Sequence, residues 1–69
     1  MNTVTAKDSA GIPRCFGEGS TITEAVAQCL IAGADYLRDR KDISALYLFN
    51  AATHEPIWEN APTQVIIRH

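Results

Sequence analysis

Nucleophilic, basic or metal-ligating chemistry in this chain would fall first to two thiols, Cys15 and Cys29, and two imidazoles, His54 and His69. A thiolate–imidazole pair is the catalytic arrangement these residue types allow. Cys29 falls on the apolar stripe of a long periodic segment, where an unpaired cysteine packs as a small hydrophobe. Cys15 lies in a strand-like run with no basic cluster to lower its pKa. A metal needs three or four ligands at workable spacing, and these residues supply neither an HxxxH nor a CxxC seed. Gly17-Glu18-Gly19 has the outline of a phosphate cradle, but a further glycine is missing and its central acid would repel an anion. The expectation is a protein without catalytic residues, cofactor or metal. A chain of 69 residues also has little depth for a pocket that excludes water.

The element that organises the chain is Thr21 to about Arg40, TITEAVAQCLIAGADYLRDR. Counted from Ile22, helical spacing lands on Ala25, Val26, Cys29, Leu30, Tyr36 and Leu37. Thr21-Ile22-Thr23-Glu24 reads as a capping box, and Arg38, Arg40 and Lys41 lie where the helix dipole favours cations. The prediction is an amphipathic helix of about five turns, ~30 Å long. Gly33 within the stripe implies close approach of a neighbouring element. Ile31 points away from the stripe, among Glu24, Gln28, Asp35 and Arg38.

Around this helix the sequence predicts short strands. Met1 to Lys7 alternates loosely, and Asp8-Ser9-Ala10-Gly11 has turn chemistry. Ile12 to Phe16 returns, with Pro13 marking an edge position, and Gly17-Glu18-Gly19 ends it. Ser44 to Asn50 is strongly β-prone, with Ala45, Tyr47 and Phe49 on one face and Leu46 and Leu48 on the other. Asn50 to Glu55 forms a turn, Pro56-Ile57-Trp58 a return strand, and Thr63 to Arg68 a final strand. The expected fold is one small α+β domain, residues 1–69. Its antiparallel sheet has about four to five strands in the order β-β-α-β-β-β, with the helix on one face.

Bulk properties narrow the function classes. The formal net charge of −2 argues against broad binding to nucleic acid or anionic membranes. Nothing in the sequence approaches a membrane span, and MNTVTAKDSAG lacks the apolar core of a signal peptide. Two unpaired thiols fit a cytoplasmic setting, with a Cys15–Cys29 bridge as the alternative. The basic residues near Arg38 interleave with Asp35, Asp39 and Asp42, which reads as a solvated, salt-bridged helix end.

Ile12-Pro13-Arg14-Cys15-Phe16-Gly17-Glu18-Gly19-Ser20-Thr21, followed by Thr23-Glu24-Ala25, resembles a segment of HicB-type antitoxins. In that family a strand ending in Pro-Gly-Cys leads through Gly-Asp-Thr into a helix opening Glu-Glu-Ala. The likeness covers about the first half of the chain. It departs at Arg14 and Ser20, and does not extend to the segment Leu46 to Trp58. It implies a sheet-and-helix architecture and an antitoxin-like role, acting on a protein partner. Small size, acidity and absent chemistry also fit inhibitors from phages and mobile elements, anti-CRISPR proteins among them. A weak RNA-binding module using the uncovered sheet face is the third reading.

One helix covers one face of such a sheet, so the other face is wet or paired. The expected partner-binding residues are Tyr47, Phe49 and Trp58 on that face, with Ile31 on the outer side of the helix. If Tyr47 and Phe49 instead fill the space beside Gly33, they belong to the core. A homodimer or larger assembly is expected, through the open face or through the edge strands at Ile12 to Phe16 or Thr63 to Arg68.

Overall fold

The computed structural model describes residues 1–57 and, as backbone, residues 65–67. Its elements are β1 (Asn2–Lys7), β2 (Pro13–Gly19), α1 (Ile22–Asp39), β3 (Ala45–Asn50) and the short β4 (Val65–Ile67). The domain is α+β, with one helix among the described residues packed on an antiparallel sheet. β1 lies between β2 and β3, and β4 aligns its backbone along the far side of β3. The return strand expected at Pro56 is here a single bridge opposite Phe49, with the Ile57 amide donating to the Leu48 carbonyl. Trp58, Thr63 and Arg68 lie outside the described residues.

The β1–β2 hairpin is built by Asp8. One of its carboxylate oxygens accepts from the Ala10 and Ile12 amides, at 2.9 and 3.0 Å. The other accepts from Arg14 Nε at 2.9 Å. Gly11 takes the positive φ of 82° that this turn requires.

β2 runs three residues past the expected end at Phe16. Gly17 and Gly19 were expected to break the strand; they continue it and let the helix approach. A Cβ at Gly17 would collide with the Cys29 backbone nitrogen and the Ala25 carbonyl oxygen. Sheet and helix therefore touch there backbone to backbone.

α1 begins at Thr21, whose hydroxyl accepts from the Glu24 amide at 3.1 Å. Ala25, Val26, Cys29, Gly33 and Leu37 are buried, and Leu30 and Tyr36 pack partly against them. Ile22, counted in the stripe from sequence, is 36% exposed because it stands in the first turn, before the helix settles onto the sheet. From the sheet, Val4, Ala6, Leu46 and Leu48 complete the core.

The last turn of the helix is fastened by polar contacts. Arg40 donates to the Tyr36 hydroxyl at 2.7 Å and to Asp42 at 2.8 and 3.0 Å. Arg14 reaches the same hydroxyl from β2, at 3.4 Å. Arg38 pairs with Asp35 on the exposed side. The salt-bridged helix end expected from the charge pattern is present, with a tie to the hairpin that the pattern did not reveal.

Candidate docking surface

Alternation along β3 sorts its side chains. Leu46 and Leu48 are fully buried in the core, whereas Tyr47 and Phe49 are half-buried on the opposite face. The arrangement in which Tyr47 and Phe49 fill the space beside Gly33 is excluded, because the leucines hold the helix side.

Strand register then assembles the open face. Thr5 is opposite Phe16 on β2 and Phe49 on β3, and Lys7 is opposite Pro13 and Tyr47. The result is a row, Phe16–Thr5–Phe49, running across three strands. Thr5 is buried between its neighbours at 6% exposure, while Phe16 is 61% exposed. Lys7 Nζ lies 4.8 Å from the centre of the Phe49 ring, a cation–π distance. A largely apolar cleft of about 150 Å³ forms here, with Thr5, Lys7, Pro13, Phe16, Phe49 and His54 in its walls. His54 reaches it from the loop after β3, where it holds a φ of 63°. Asn50 organises that loop: its side-chain oxygen accepts from Ala52 and Thr53, at 2.9 and 3.3 Å.

Ile31 is 60% exposed, as the helical spacing predicted. It is not part of the aromatic face. It lines a separate open groove of about 520 Å³ between α1 and β2, together with Phe16, Glu18, Glu24 and Ala27. Phe16 is thus the residue common to cleft and groove, and the sequence reading did not single it out. The signal was available in the alternation: a strand that puts Cys15 toward the helix puts Phe16 on the other side. Of the four expected contact residues, Tyr47 and Phe49 share one surface, Ile31 occupies another, and Trp58 lies outside the described residues.

The thiols sit on the covered side. Burial pushes the Cys29 thiol up to about 12, and the neighbouring Cys15 adds to the shift. Burial also raises Cys15, partly offset by a hydrogen bond with Cys29. Neither has the depressed pKa of an activated nucleophile. Among the described residues no group of three or more histidine, cysteine or acidic side chains is arranged to hold a metal ion. Among them, too, no helix is long and apolar enough to cross a membrane. Comparisons of the chain with protein-family models, with curated proteins and with solved structures return no match in any of the three.

Proposed function

We propose that this chain is a small non-catalytic regulatory or inhibitor protein that acts by covering a protein partner with the open face of its sheet. The observation that carries this reading is the row Phe16–Thr5–Phe49 with Tyr47 beside it, an aromatic surface over which no described element folds. Contiguous apolar surface is costly to leave wet, and interface energy concentrates on large aromatic side chains. The platform is a sheet of four to five strands, in the order β2-β1-β3-β4 among the described residues. The raised pKa values of both thiols support a role without covalent catalysis. The antitoxin-like segment from Ile12 to Ala25 favours a toxin-like partner in the cytoplasm, with an inhibitor of a nuclease or CRISPR effector as the alternative.

A second reading is favoured by one observation. Lys7, from the neighbouring strand, supplies beside Phe49 the cation that β3 itself lacks, an arrangement on which a single-stranded base could stack. Affinity capture from the source cell, analysed for both protein and nucleic acid, separates the two. A Tyr47→Ser, Phe49→Ser double variant then tests the surface. Loss of binding with the melting temperature almost unchanged supports the docking face. A fall of about ten degrees or more assigns these residues to the core and ends the proposal.

A further inference from the structure

The two thiols meet where α1 passes over β2. Cys15 and Gly17 are opposite Ala6 and Val4 in register, so both face the core. The helix lies so close to this side that a Cβ at Gly17 would strike the Cys29 nitrogen and Cα. Cys29 is fully buried there, and Cys15, half-buried, packs against the cluster that contains it. Where two backbones come this close, side chains as short as cysteine are long enough to touch. The Cys29 thiol donates a hydrogen bond to the Cys15 sulfur. Among the described residues no third ligand joins them to hold a metal ion.

We propose that Cys15 and Cys29 are a redox pair, which a small-molecule disulfide such as oxidised glutathione converts into an intramolecular disulfide stapling α1 to β2. The Cys15 thiolate attacks one sulfur of the disulfide R–S–S–R, forms a mixed disulfide and expels RS⁻. The Cys29 thiolate then attacks the Cys15 sulfur, closes the bridge and expels the second RS⁻. Each RS⁻ takes up a proton that a cysteine has given up. One R–S–S–R is thereby reduced to two RSH as the two thiols are oxidised to one disulfide. Cys15 reacts first because it is the more exposed of the two. Sulfurs already in contact reach bonding distance by side-chain rotation, with strand and helix left in place.

Burial sets the tempo. It holds both thiols above the ordinary thiol pKa, so little thiolate is present and exchange is slow. The same burial shields the finished bridge from reductants. The pair therefore acts as a durable staple and not as a rapid sensor.

A staple counts for more here than in a larger protein. A chain of 69 residues has a small core and a small margin of stability. The bridge closes a loop of 15 residues, Cys15 to Cys29 inclusive, and removes chain entropy from the unfolded state. By linkage, folding stabilises the bridge by the same factor as the bridge stabilises the fold.

Refolding the reduced full chain from urea in a glutathione redox buffer at mildly alkaline pH tests this, because burial does not then limit the approach to equilibrium. The expected product is a monomer lighter by two hydrogens. Cleavage after Glu18 and Glu24 puts the cysteines on separate peptides that the bridge alone holds together. The product should melt about ten degrees or more above the reduced chain. The bridge should resist reduction by glutathione ~100-fold more in the native chain than in concentrated urea. Cys15→Ser, at the half-buried position, leaves Cys29 in the core and should show no rise in melting temperature after the same treatment. Products confined to glutathione adducts or disulfide-linked dimers overturn the proposal. So does a bridged monomer that melts no higher than the reduced chain, since the sulfurs would then join only by distorting the helix–strand contact. None of these readouts involves a partner, so they bear on the bridge alone.

Discussion

Phe16 and Phe49 flank Thr5 on the face of the sheet away from α1, each directly opposite it in register on a different strand. They are 33 positions apart in sequence, as their residue numbers show. The surface they form exists only because β1 is the central strand of the three. Their environment differs sharply from that of Leu48, one residue before Phe49 and fully buried. Leu48→Ala is expected to cost about 2–5 kcal/mol, since it opens a cavity in the core. Phe49→Ser is expected to cost about 1 kcal/mol, a typical value for a side chain that is only part-buried. Urea denaturation of the two variants measures the difference. Equal losses would mean that the aromatic face is as tightly packed as the core.

Gly17→Ala should be among the most damaging single changes in the chain. The added methyl meets the Cys29 nitrogen and the Ala25 carbonyl oxygen, both main-chain atoms that cannot rotate away. Overpacking of this kind costs about 1–3 kcal/mol or more. Thermal unfolding reads the loss. Hydrogen exchange should show weakened protection at Ala25 to Cys29, where the helix is pushed off the strand.

Acid should loosen the hairpin and the helix end together. Arg40 and a backbone amide hold Asp42 at a pKa of about 2, below its ordinary 3.8. Asp8 is also lowered, first by the Ile12 amide and then by Arg14. A carboxylate whose folded pKa is depressed releases its proton more readily in the folded state. Its contribution is complete above the unfolded pKa and is lost as pH falls through the folded one. For Asp42 the window runs from about 3.8 down to about 2. Stability curves of the native chain and Asp42→Asn should therefore differ at neutral pH and converge near the bottom of that window. A constant gap across it would refute the assignment.

The two thiols should be slow to react in the folded protein. With its pKa pushed up to about 12, Cys29 holds on the order of 10³ less thiolate at pH 8 than an ordinary thiol. Labelling with a chromogenic disulfide should spare Cys29 until the chain unfolds. Cys15, half-buried and shifted upward less far, should react first. Rapid labelling of Cys29 under native conditions would show that the helix–sheet contact opens readily.

Elements held by local signals were legible in the sequence. The helix was readable from its spacing and the Thr21 cap, the hairpin turn from Asp8 and Gly11, and β3 from its β-prone run. What escaped depended on distant partners. Gly17 and Gly19 look like strand breakers in isolation, and only the helix packed over them shows why glycine is needed there. Phe16 looks like the end of a strand, and only its register against Thr5 makes it part of a surface. Arg14 gave no hint that it would join Asp8 to Tyr36, because that tie requires hairpin and helix end to meet. Alternation and helical spacing separate Tyr47, Phe49 and Trp58 on the sheet from Ile31 on the helix, but neither gives the register across strands that brings Phe16 beside Thr5 and Phe49.

The contact at Gly17 also bears on how this fold can vary. Where side chains interlock, a larger residue on one side can be offset by a smaller one on the other, and families drift through such exchanges. Here both surfaces are main chain, and the Ala25 carbonyl and Cys29 amide are the same whatever residues occupy those positions. No second substitution can make room for a side chain at position 17. Related sequences that keep this architecture should hold glycine there even where the surrounding core has been wholly rewritten.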